Sequence, residues 1–120
     1  MVIITEKKQL KETLGKEIKK IDLQSFTNSL KKLLDEGMGF FDWVQVDLLQ
    51  GAFLNVFLGG KLSQVNQHGF TIQKANECFN ILYCYIEGIV VKQAGITLML
   101  KGKAKIDLNF GKREMLNYFI

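Results

Sequence analysis

Proline is absent from this 120-residue chain, histidine occurs once, arginine once and cysteine twice. Each scarcity excludes something. Without proline there is no proline-rich linker and no collagen-like segment. Two cysteines and the single His68 cannot supply a disulfide framework or a four-ligand structural zinc site, so neither a metal nor a cofactor is expected. Arg113 is the only arginine among sixteen basic residues. Arginine is the residue suited to bidentate reading of phosphate and guanine, so specific nucleic-acid readout is disfavoured. Long apolar runs are missing too. The most apolar stretch, 40–58, contains Asp42, Gln45, Asp47, Gln50 and Asn55, which argues against a membrane span. The opening MVIITEKKQ reaches acid and lysine within eight residues, with no apolar core behind them. No secretory leader is expected, and the expected compartment is the cytoplasm, with Cys78 and Cys84 as free thiols.

What remains suits one domain over 1–120. Apolar residues make up 48% and charged residues 23%, a composition that folds. A chain of this size buries roughly two thirds of its unfolded surface. The net charge of +4 is modest, and its positive excess lies toward the two ends.

Residues 5–36 read as a helical pair. In 5–20, Thr5 can cap, and Leu10, Leu14 and Ile18 recur every four residues. In 22–36, Asp22 can cap a stripe of Leu23, Phe26, Leu30, Leu33 and Leu34, and Gly37 supplies a stop. From residue 40 onward, glycines punctuate runs of strand length. Val44, Val46 and Leu48 alternate with Gln45 and Asp47. Ala104, Ile106, Leu108 and Phe110 alternate with Lys103, Lys105, Asp107 and Asn109. Such period-two patterns predict antiparallel strands with one wet face. Residues 71–86 fit a helix through Ala75, Phe79, Leu82 and Ile86, yet ILYCYI within them has strand propensity. The expected fold is therefore α+β: an N-terminal helical pair packed on an antiparallel sheet, with a possible third helix near 71–86.

Searches for catalytic chemistry return little. His68 lies in Asn66-Gln67-His68-Gly69, which reads as a turn. Cys78 and Cys84 are six apart and read as small core residues. Asp42 and Asp47 fall on opposite faces of a strand. No phosphate loop or dinucleotide fingerprint occurs. The expectation is a binding protein rather than an enzyme.

Two groups are candidate partner-binding residues. Phe40, Phe41 and Trp43 crowd aromatic surface into four positions, with Phe53 and Phe57 close behind; exposed, they would anchor a partner, and buried, they would be core. Lys101, Lys103 and Lys105, spaced by two, would project from one sheet face, with Lys112 and Arg113 nearby, and would attract an acidic partner or a phosphate backbone. The alternative for these lysines is protection of an edge strand. The expected function is stoichiometric binding of another protein, most concretely by an immunity- or antitoxin-like inhibitor, bacterial or phage, that occludes the active site of a partner such as a toxin. The alternatives are a nucleic-acid accessory protein using the lysine strand, and a self-assembling protein that forms homo-oligomers through a sheet edge.

Overall fold

The computed structural model describes residues 13–48 and 53–120. The single main helix among them, α1, spans Leu23–Asp35. Asp22 caps it by accepting a 2.7 Å hydrogen bond from the Ser25 amide, which satisfies one of the orphan donors at a helix start. At the other end Gly37 takes φ +68°. Its amide donates to the Leu34 carbonyl and the Met38 amide to that of Leu33, at 3.1 and 2.9 Å. This left-handed stop is the one that glycine suits best. Phe26, Leu30 and Leu33 make the buried stripe, while Leu23 is 39% exposed.

The expected helical pair is not found among the described residues. Residues 5–12 of its first member lie outside the described residues, and the rest of that segment is not helical: Glu17–Ile21 forms strand β1. Leu14 is buried and Ile18 is 45% exposed, so the interval of four does not mark one face. The segment is tied to a neighbouring turn instead. The Ala94 amide donates to the Leu14 carbonyl at 2.9 Å and the Gln93 amide to that of Lys16 at 3.1 Å.

The other strands are β2 (Phe41–Leu48), β3 (Phe53–Leu58), β4 (Lys61–Val65), β5 (Gly69–Lys74), β6 (Glu77–Leu82), β7 (Ile86–Lys92), β8 (Gly95–Leu100) and β9 (Lys105–Phe110). They form a six-stranded sheet in the order β1-β7-β8-β9-β2-β3 and a three-stranded sheet in the order β4-β5-β6. Every pairing is antiparallel. The third helix anticipated near 71–86 is instead the rest of β5, then β6, a 3-10 turn at Tyr83–Tyr85 and the start of β7. Ala75, expected on its apolar face, is exposed in the β5–β6 turn at φ +53°.

One core joins both sheets and the helix. Val44, Val46, Ile89, Val91, Ile96, Leu98, Ile106 and Leu108 supply it from the large sheet, and Leu62, Phe70, Ile72 and Ile81 from the small one. A relay of rings crosses it. Phe41 lies 6.2 Å from Phe110, Phe110 5.4 Å from Phe119, Phe119 5.9 Å from Phe26, Phe26 5.6 Å from Phe70, and Phe70 6.3 Å from Tyr83. These are favourable ring separations, and each step joins a different pair of elements. Phe119 follows the C-terminal 3-10 helix Arg113–Tyr118, so the chain end is part of the core. Among the described residues no helix is long and apolar enough to cross a membrane.

Candidate interaction surface

The expected aromatic cluster divides across the large sheet. Phe41 and Trp43 are each 3% exposed and cannot serve as anchors. Phe41 joins the core, whereas Trp43 pairs with Asn109 and Leu58 in the cross-strand register. A register shift between them separates the two rings. The side chains of Phe53 and Phe57 lie outside what is described. Phe40 alone of the three candidate anchors is open, at 49%.

The expected lysine strand is also divided. Lys101 and Lys103 belong to a 3-10 turn between β8 and β9, with Gly102 at φ +77° and Lys103 at φ +64°. Both are exposed, and Lys105 is half-buried in β9, opposite Met99 and Asp47. β9 lies between β8 and β2, so edge protection does not explain these lysines either. Lys112 and Arg113 are exposed but follow the far end of β9. A six-residue strand spans about 20 Å, so the five basic residues do not form one patch.

The structure brings other residues to Phe40. The Gly59-Gly60 turn lays the end of β3 and the start of β4 alongside the start of β2. The Gly59 amide donates to the Asp42 carbonyl at 2.8 Å and the Phe41 amide to that of Gly60 at 2.9 Å, while the Leu62 amide donates to that of Gly39 at 2.6 Å. Phe40 and Lys61 bridge across this junction, and the Lys61 ammonium stands 5.6 Å from the centre of the Phe40 ring. That is cation–π range. Leu58, 41% exposed, precedes the turn, and the Lys74 ammonium donates to its carbonyl oxygen. On the other side Gly111 lies against Asp42; a Cβ there would stand 3.7 Å from that of Asp42. Lys112 and Arg113 follow directly. Phe40 and Leu58 are thus both open along this junction, with Lys61 over the Phe40 ring and Lys74 bonded to Leu58, while Lys112 and Arg113 follow Gly111 in the chain where it lies against Asp42. Leu58, Lys61 and Lys74 were not candidates from sequence. The signal that could have found them is the Gly-Gly pair, which folds its flanks back onto β2.

A second feature is a cleft of about 450 Å³ lined by Lys32, Glu36, Met38, Glu114, Asn117 and Tyr118. The Tyr118 hydroxyl donates to Glu36 Oε1 at 2.7 Å and lies 3.3 Å from Met38 Sδ. The hydrogen bond to Glu36 raises the Tyr118 pKa above its ordinary value. A phenol that holds its proton more tightly is a poor base or nucleophile near neutrality.

His68 is exposed in the expected turn, where Asn66 Oδ1 accepts from the amides of His68 and Gly69 at 2.8 and 3.1 Å. Cys78 and Cys84 are exposed free thiols, not the core residues anticipated. Among the described residues no group of three or more His, Cys, Asp or Glu is placed to hold a metal ion. No known protein family matches the chain, and no curated protein or solved structure is significantly similar to it.

Proposed function

We propose that the protein acts by stoichiometric binding of another protein, in the manner of an immunity protein or antitoxin that covers its partner's active site. The observation that carries this reading is Phe40, half open to solvent with the Lys61 ammonium over its ring. An exposed aromatic beside an exposed leucine supplies an anchor. The flanking Lys61, Lys74, Lys112 and Arg113 supply a field that speeds encounter with an acidic surface. The partner that fits is acidic around an apolar recess that takes the Phe40 ring.

The test is capture from the native host on immobilised protein, in parallel with Phe40→Ala, the double charge reversal Lys61→Glu/Lys112→Glu, and Lys101→Glu as a control at the far end of β9. One partner at a one-to-one ratio is expected. Phe40→Ala should weaken it at least about tenfold, and the double reversal should slow association and remove its salt dependence. Lys101→Glu should change little. The reading is overturned if no stoichiometric partner is recovered, or if Phe40→Ala retains the partner fully.

A further inference from the structure

The three-stranded sheet carries a second feature, at the end of β4 away from Phe40. Gln64 pairs with Thr71 and Thr71 with Asn80, so three uncharged polar residues form one row across β4, β5 and β6. Leu62, Phe70, Ile72 and Ile81 turn to the core, and this row takes the other face. Beside the row, the turn carrying Asn66 and His68 borders a hollow of about 180 Å³, closed on the β6 side by Leu82.

The lining is unusual for this chain. Twenty-eight of its 120 residues are charged, yet the hollow is lined by no lysine, arginine, aspartate or glutamate. Its hydrogen-bonding capacity is held in amides, a hydroxyl and an imidazole. Thr71 Oγ1 donates to Asn80 Oδ1 at 2.6 Å, which leaves the Asn80 amide nitrogen to donate outward. Asn66 Oδ1 is engaged by the turn amides, which leaves its nitrogen free in the same way. Gln64 offers both a donor and an acceptor.

These features discriminate between ligand classes. A phosphate or carboxylate ligand calls for a cation, and no lysine or arginine lines the hollow. A stacked base calls for an open ring face; Phe70 in the lining is buried, which leaves only the small imidazole of the exposed His68. A neutral polyhydroxylated ring meets both conditions. Its hydroxyls each donate and accept, and the amides in the row do the same. Its weakly apolar face can rest on Leu82, which is 43% exposed. The volume corresponds to roughly six waters at about 30 Å³ each, the space one sugar ring would displace. We propose that this hollow binds a single neutral pyranose unit, with Gln64 and Asn80 holding its hydroxyls.

The test is a titration of isotope-labelled protein with methyl glycosides of glucose, galactose, mannose and N-acetylglucosamine, followed by amide chemical shifts. Uridine and adenosine serve as competing probes. At least one glycoside should shift amides confined to residues 64–71 and 80–82, with an affinity on the order of millimolar for one sugar unit. Gln64→Ala and Asn80→Ala should each weaken that binding at least about fivefold with unchanged melting, because both residues are exposed. Lys61→Glu should leave it intact, which separates this site from the Phe40 surface. Three outcomes overturn the proposal: no shift in these residues with any glycoside, shifts that survive both alanine variants, or preferential binding of a nucleoside.

Discussion

Thr97 Oγ1 donates a 2.6 Å hydrogen bond to Asp107 Oδ1 across the β8–β9 pair. Thr97 is 2% exposed, although it lies on the sheet face opposite Leu98, Ile96 and the main core. Register places it in a row with Val90, Asp107 and Gln45. The outer face of the large sheet is therefore partly buried and polar, and its carboxylate depends on a neighbouring hydroxyl. Thr97→Val keeps the shape and deletes the donor. It should cost about 1–2 kcal/mol, whereas Thr97→Ser, which keeps the hydroxyl, should cost less. Denaturant unfolding checks both, with m-values unchanged if the native state is intact. Equal stability of Thr97→Val and the parent would show that the bond contributes nothing net.

The Asp22 cap makes part of the stability pH-dependent. The Ser25 amide holds the Asp22 carboxyl below its ordinary pKa, with the Ser25 side chain adding to the effect. For a group lowered on folding, the contribution is present above the unfolded pKa and is lost as pH falls through the folded one. Asp22→Ala should therefore lower the melting temperature at neutral pH and lose this difference in strong acid. Asn is as good a cap as Asp. Asp22→Asn should keep most of the neutral-pH stability but flatten the acid limb. Melting curves from neutral pH to about pH 2 separate the three proteins. An Asp22→Ala difference that persists undiminished in acid would show that the carboxylate is not the capping group.

These two sites show what periodicity can and cannot convey. The alternation over 104–110 was legible because every second side chain enters the core, at Ala104, Ile106, Leu108 and Phe110. β1 was not legible, because four of its five residues are exposed and an edge strand without a buried face has no alternation to read. The same holds around Ala75, where a turn residue and the exposed Leu82 happened to fall at helical spacing. Within the candidate surface, the sequence brought forward Phe40, Lys112 and Arg113. It also brought forward Phe41 and Trp43, which a register shift sends to buried positions on the two faces of the sheet. Leu58, Lys61 and Lys74 come together with Phe40 only through pairing across the Gly59-Gly60 turn, a relation that no local spacing encodes.

Phe26 tests whether the helix and the two sheets stand or fall together. Its ring touches Phe70 of the small sheet and Phe119 of the C-terminal segment, and it is fully buried. Phe26→Ala removes both contacts and leaves a cavity, for an expected loss of about 3–5 kcal/mol. Phe26→Leu should cost less, because most of the volume is retained. If the core is one cooperative unit, amide exchange in β5 and in β9 should accelerate together in Phe26→Leu. Faster exchange in β5 alone would mean that the small sheet opens independently of the large one.

Tyr83 should be more stable without its hydroxyl. The residue is buried, and its oxygen has no hydrogen-bond partner. Burial raises the Tyr83 pKa, opposed in part by the approaching Thr27 hydroxyl, yet that pair does not reach hydrogen-bond geometry. An unsatisfied buried hydroxyl carries a desolvation cost, and removing the group relieves it. Tyr83→Phe retains the ring that faces Phe70 at 6.3 Å, so packing along the aromatic relay is preserved. The expected change is a gain of about 1 kcal/mol. The sign with pH follows from the raised pKa. A group raised on folding contributes its stability below the unfolded pKa and loses it as pH climbs through the folded value. The parent should therefore weaken in alkali more than Tyr83→Phe does, and the gap between them should widen above about pH 10. Urea titrations at neutral and alkaline pH read both effects. A Tyr83→Phe protein less stable than the parent at neutral pH would show that the hydroxyl is satisfied in solution, with a bound water or Thr27 as its partner.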